Sequence, residues 1–217
     1  MKDLVFVLTG AHAVSNDLMI LRERSVEYRI GLSRVATFSK QMYGIVSEID
    51  NSLPFVPPFS QFSFEKIQQI PKSYFPSDFT KSQREFTSIQ ALLPELEANK
   101  EIDDKTFIVK VTGRYILIKD TFINSVQAEA NNPASSIDIL LRLAPMSENG
   151  IQMFTFLYAM RYKWFKQLFS KSPYELGKQN IEKFMIQFIA ENALCAMPLN
   201  SLDILTNINN EGKYTVY

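Results

Sequence analysis

The chain has 217 residues, 46% of them hydrophobic and 12% aromatic, which is the composition of a folded protein with one sizeable core and not of a disordered chain. Its 23 basic and 23 acidic residues cancel, and that balance excludes binding to nucleic acid through a general basic surplus. One cysteine, Cys195, and one histidine, His12, exclude an internal disulfide, a cysteine-rich metal site and a multi-histidine zinc centre.

Leu4–Leu8 is a continuous apolar run closed by Thr9-Gly10, which predicts a central strand and then a turn. The run is too short for a signal-peptide core and Asp3 interrupts its basic flank, so secretion is not expected. No stretch approaches the roughly 20 apolar residues that cross a bilayer, and the expectation is a soluble, cytoplasmic protein. Neither G-x-G-x-x-G nor G-x-x-x-x-G-K-[ST] follows the first strand, so any phosphate must be held by other means.

From Ser25, read as an N-cap, Tyr28, Leu32, Val35, Phe38 and Met42 recur at helical spacing, with arginines at 22, 24, 29 and 34 on or near the other face. Tyr43–Ile49 predicts a second strand, near whose end Glu48 is placed to receive a ribose hydroxyl. Residues 51–79 mix five prolines with many aromatics, which predicts an ordered insert without a long regular element, packed on the domain and roofing the site. A helix is expected over 81–97, disturbed by Pro94.

Thr106–Leu117, TFIVKVTGRYIL, is the centre of the reading. A β-branched and aromatic run gives way to Thr112, Gly113, Arg114 and Tyr115, a hydroxyl, a permissive backbone position, a guanidinium and a ring where ligands sit in open α/β sheets. Asp120 is expected to cap a helix to about Ala130, and strands are expected at Ile137–Leu143 and Met153–Met160. A helix from Tyr162 to Ser170 follows, with Arg161 at the junction pointing where Arg114 points, then a helix over 178–192 and an edge strand in the tail after Asp203. The sum is a single α/β domain over 1–217 with a central, mainly parallel mixed sheet flanked by helices.

Several of these pieces resemble the small GT-A glycosyltransferases of bacterial surface-polysaccharide loci and large algal viruses. Those open on a strand like LVFVLTG and continue with R-x-x-E-Y-R-x-G-L, matched by Arg24–Leu32. Their N-K-G-x-N-E helix start is met in part by Thr80–Glu85, which keeps Lys81 and Glu85. K-x-T-G-R-Y is met in full by Lys110–Tyr115, and F-A-M-R-x-x-x-F nearly in full by Tyr158–Arg161 with Phe165, a tyrosine standing for the first phenylalanine.

The resemblance covers roughly Leu4–Ile189 and implies a Rossmann-like GT-A fold that transfers a sugar from a nucleotide-sugar donor, UDP-linked first of all, to a glycan acceptor. It places Thr9 and Gly10 at the base or ribose, Arg29 and Lys81 at the base or phosphate, and Lys110, Thr112, Gly113, Arg114 and Tyr115 at the diphosphate and sugar, with Arg161 beside them. GT-A enzymes commonly hold Mn²⁺ or Mg²⁺ on D-x-D, a triplet missing from this sequence; Asp78 is the carboxylate nominated for a metal. Without a metal, Arg114, Lys110 and Lys81 would neutralise the leaving diphosphate. An inverting transferase also needs a carboxylate near the acceptor hydroxyl, for which Glu182 and Glu175 are the candidates. A non-catalytic nucleotide-binding module and a sugar nucleotidyltransferase are the alternatives, and the sequence leaves oligomeric state open.

Overall fold

The computed structural model describes residues 4–11, 18–39, 41–49, 58–113, 115–145, 151–202, 204–206 and 215–216. The order is β1 (Val5–Ala11), α1 (Leu18–Val35), β2 (Met42–Ile49), β3 (Lys66–Pro71), α2 (Lys81–Gln90), α3 (Leu93–Ala98), β4 (Phe107–Thr112), β5 (Ile116–Leu117) and α4 (Thr121–Asn131). Then come β6 (Ile139–Leu141), β7 (Leu143–Pro145), β8 (Ile151–Met153), β9 (Leu157–Arg161), α5 (Tyr162–Phe169), α6 (Ile181–Glu191), β10 (Ala196–Pro198), β11 (Ile204–Thr206) and β12 (Thr215–Val216).

Seven strands form the main sheet in the order β10-β6-β9-β4-β1-β2-β3. All run parallel except β9, which is antiparallel to both neighbours. β1 sits inside this sheet with both faces covered, which is why its sequence is a continuous apolar run and not an alternating one. Val5 and Val7 join the core under α2, α5 and α6, with Phe86, Phe165 and Met185, while Phe6 and Leu8 join the core under α1 and α4, with Leu32 and Phe122. The result is a three-layer α/β fold.

Several expectations need correction. β1 continues through Thr9 and Gly10 to Ala11 in register with β2, and with β4 as far as Thr9, so these two residues end a strand and do not make a turn. α1 already runs at Leu18, which puts Ser25 inside it, and it ends at Val35; Met42 begins β2, so its helical spacing with Phe38 is a coincidence. The helix expected over 81–97 is two, broken at Ala91-Leu92, with Pro94 in the first turn of α3, where its missing N–H costs nothing. The stretch read as one strand to Met160 is also two: β8 pairs with β7 in a hairpin, and β9 starts after a turn at Thr155-Phe156. The tail joins β5 in a separate three-stranded sheet and is not the edge of the main one.

The described part of the proline and aromatic insert holds a main-sheet strand, β3, parallel to β2, between short 3-10 turns at Pro58–Gln61 and Lys72–Tyr74. Phe59 is buried against Gly44, where a Cβ would come within 2.7 Å of its ring. The insert therefore covers one sheet face as well as extending the edge.

Candidate active site

The chain builds β1, β2 and β3 outward in one direction and then returns to the other side of β1 for β4. At such a reversal the connections leave in opposite directions and open a crevice beyond the carboxyl ends of the strands. Here the crevice is a cavity of about 440 Å³. Its floor is Thr9, Gly10 and Ala11 from β1 with Thr112 from β4. α1 lends Arg24 and Tyr28, α2 lends Lys81, Arg84 and Glu85, the turn before β9 lends Thr155 and Phe156, and α6 lends Glu182.

Small residues shape this floor. A Cβ on Gly10 would lie 3.1 Å from the Tyr28 ring, so the glycine lets that ring approach the strand, where the Tyr28 hydroxyl accepts the Ala11 N–H at 3.2 Å. Gly31 sits where α1 is crossed by the chain leaving β4. A Cβ there would lie 2.5 Å from the Gly113 carbonyl and 2.7 Å from that of Tyr115, a clash with backbone that no side-chain rotation relieves.

The charges are mostly committed to one another. Lys110, 2% exposed at its side chain, donates from Nζ to Glu85 Oε1 at 2.7 Å, to Thr112 Oγ1 at 3.1 Å and to the Thr155 carbonyl at 2.8 Å. An ammonium has three protons, and all three are occupied. Arg84 pairs with Glu48 at 2.8 Å. Glu48 has φ of 57°, a left-handed conformation uncommon outside glycine and a sign of local backbone strain, in a part of β2 where the pairing register shifts.

Glu182, in the first turn of α6, accepts a hydrogen bond at 2.9 Å from the Thr155 hydroxyl and has no cationic partner among the described residues. The side chain of Lys81, the first residue of α2, makes no hydrogen bond or ion pair among them either. The two helix starts are clipped together, because Ser82 Oγ accepts the Ile181 N–H at 3.3 Å. Behind Lys110, in register on β9, Tyr158 has its hydroxyl buried without a partner. Burial, helped by the nearby Glu85 charge, raises this phenol well above its ordinary pKa.

Of the residues singled out from sequence, Thr9, Gly10, Glu48, Lys81, Lys110, Thr112, Tyr115 and Glu182 line the cavity. Lys110 does so with its donors saturated, which removes the free cation expected there. Gly113 lies behind the lining, its N–H donating to the Thr9 carbonyl at 2.8 Å and its backbone against Tyr28 and Phe59. Arg114 lies outside the described residues.

Arg29 is exposed on α1 and does not line the cavity; Arg24, four residues before Tyr28, shares the inward face instead. Arg161 is at the opposite end of the sheet. Because β9 is antiparallel, Arg161 pairs with Phe107 at the start of β4, and its buried guanidinium donates to the carbonyls of Ile137, Lys105 and Ser135 while lying 4.5 Å above the Phe107 ring. It fastens loops and does not point where Arg114 was expected to point. Asp78 is exposed in a turn outside the cavity lining, and among the described residues no three His, Cys, Asp or Glu side chains converge as a metal centre. Glu175 is exposed and occupied in capping its own 3-10 turn.

Sequence reading missed Arg24, Arg84, Thr155 and Phe156. Arg24 carried a signal, its i, i+4 spacing from Tyr28; Thr155 carried none, since its place depends on the reversal of β9.

No protein-family model matches the chain, and no curated protein matches it in sequence. Solved structures do match in fold. A 4-diphosphocytidyl-2C-methyl-D-erythritol synthase superposes with a TM-score of 0.54 at 10% identity over 97% of this chain and 96% of its own. A glucose-1-phosphate thymidylyltransferase from Bacillus anthracis superposes at 0.51 and 10% identity over 91% and 87%. A glycosyltransferase involved in the glycosylation of the major capsid of PBCV-1 is a looser match, at 0.46 and 9% over 90% and 82%. At such identities the first two establish the fold alone, a Rossmann-like α/β architecture. No helix among the described residues is long and apolar enough to cross a membrane.

Proposed function

We propose that the chain is a glycosyltransferase that moves a sugar from a nucleoside-diphosphate donor, a UDP-sugar first of all, to a glycan acceptor. The observation that carries this reading is the pattern of charge in the cleft. Glu48 and Glu85 are each neutralised by a cation of the protein, whereas Lys81 and Glu182 stand without an ion partner among the described residues, at two helix starts joined side by side.

In this reading Glu182 takes the proton of an acceptor hydroxyl as that oxygen attacks the anomeric carbon. The bond from that carbon to the donor phosphate breaks, and the nucleoside diphosphate leaves with the electron pair. Lys81, with the N-terminal end of α2, offsets the charge that grows on the leaving group, and Arg114 is proposed to grip it as a phosphate clamp. Thr9 and Gly10 form a floor open to the nucleoside. The described residues do not assemble a metal centre around Asp78.

The second reading, a sugar nucleotidyltransferase, uses the same cleft and takes its motive from the activities named for the fold neighbours. There a sugar phosphate would attack the α-phosphate of a nucleoside triphosphate and release pyrophosphate. The test is a thermal-shift screen of nucleoside diphosphates, nucleotide sugars and nucleoside triphosphates, each with and without Mn²⁺, followed by product analysis. Stabilisation by UDP or a UDP-sugar, with release of UDP when an acceptor is added, supports the first reading. Pyrophosphate release supports the second, and binding without turnover leaves a non-catalytic module. Lys81→Ala should weaken UDP-sugar binding by about 1 to 3 kcal/mol, the worth of a charged hydrogen bond, and an unchanged Kd in a folded variant removes Lys81 from the site.

A further inference from the structure

We propose that Thr155 is a positioning residue: it sets the orientation of the Glu182 carboxylate, and Lys110 locks it in place from inside the sheet. The inference rests on the reading of Glu182 as the base. Thr155 is buried in the turn between β8 and β9, and its two polar ends face different ways. Its carbonyl accepts the Lys110 ammonium at 2.8 Å, and its hydroxyl donates to Glu182 Oε1 at 2.9 Å.

Lys110 is itself held by Glu85 on α2 and by Thr112 on β4, so three walls of the cleft meet at one nitrogen and a fourth, α6, is attached through Thr155. Once Oε1 accepts the threonine hydroxyl, the torsions of the Glu182 side chain are restricted and Oε2 is left for the acceptor. The donor is neutral. A lysine or arginine in its place would compensate the carboxylate charge, as happens at Glu85 and Glu48, whereas the hydroxyl orients Glu182 and leaves its charge uncompensated.

The chemistry of the donor also makes the role separable from packing. Thr155→Val keeps the shape and the backbone carbonyl for Lys110 but deletes the hydroxyl, and Thr155→Ser keeps the hydroxyl. In the 217-residue chain we expect Thr155→Val to lower kcat about tenfold, the order of one hydrogen bond to a charged group, with donor KM and calorimetric UDP affinity unchanged. Thr155→Ser should return kcat to within about threefold of wild type by the same reasoning. In a Glu182→Gln background, Thr155→Val should add no further loss, because the residue acts through the carboxylate.

Equal activity of the Val variant and wild type overturns the positioning role alone. So do equal losses in the Val and Ser variants, or a further loss in the Glu182→Gln background. A wild-type chain that binds UDP and transfers no sugar overturns the base reading, and this inference with it.

Discussion

Replacing Lys110 by methionine tests whether its ammonium is structural or available to a ligand. Methionine keeps most of the hydrocarbon stem and removes three donors at once. Glu85 loses its partner and the Thr155 carbonyl loses its donor. Breaking a buried ion pair typically costs about 3–5 kcal/mol, and the lower figure applies because the Glu85 side chain, 27% exposed, recovers some hydration. With the stranded carbonyl added, the loss is about 4 kcal/mol. For a chain of this size that is a fall in melting temperature of roughly 10 °C. Urea unfolding should show a lower midpoint with an unchanged slope. Lys110→Met with Glu85→Gln should recover about half of the loss, since the second change removes the orphaned charge. A single variant that loses less than about 1 kcal/mol would refute the argument and return Lys110 to the pool of cations available for phosphate.

Three further outcomes follow from the packing. Gly31→Ala drives a methyl into the carbonyls of Gly113 and Tyr115 and should destabilise by about 1–3 kcal/mol in urea unfolding, with weaker nucleotide binding as the chain after β4 shifts. Tyr158→Phe removes a buried hydroxyl that has no partner and should raise stability by about 1 kcal/mol in the same assay. Stability should also fall in alkali. Burial, with Glu97 nearby, pushes Tyr162 up to about 12 from an unfolded value of 10.0, and Tyr158 also moves upward. The native chain therefore holds these protons after the unfolded chain has released them. The Tyr162 contribution is complete below about pH 10 and is lost as pH rises through about 12, a slope that Tyr162→Phe should flatten in a pH series of urea midpoints.

Those parts of the fold that were legible in the sequence are the ones whose environment is simple. β1 opens on an unbroken apolar run, and the buried parts of β2 and β4 are apolar apart from Gly44 and Lys110. β3 was not legible, because Lys66-Ile67-Gln68-Gln69-Ile70-Pro71 at a sheet edge among prolines gives little apolar signal, and β10 is three residues ending in proline. Thr9, Lys81 and Thr112 could be placed as strand ends and a helix start, positions that local pattern fixes. The choice between Arg24 and Arg29 depends on Tyr28 facing the cleft, which brings Arg24 inward at i, i+4 spacing and which the motif alone did not specify. The saturation of Lys110 was beyond reach, since two of its acceptors lie 25 and 45 residues away on other elements. The place of Arg161 depended on a strand direction that its own residues do not encode.

The reversed strand has an effect on how this architecture can vary. In a wholly parallel sheet only the exits of strands reach the ligand edge, and every exit loop there is also a connection that must carry the chain across to the next layer. β9 delivers its beginning to that edge, so the turn at Thr155 and Phe156 stands over the cleft beside Thr112, whose N–H donates to the Phe156 carbonyl at 2.9 Å. On its far side this turn leads only to the small β7–β8 hairpin. The β7–β8 hairpin could change length or sequence without lengthening any crossover of the β1–β2–β3 half. The turn itself is tied to the floor by the Lys110 and Thr112 hydrogen bonds, so variation of this side of the cleft falls to the hairpin beyond it while the floor keeps its geometry.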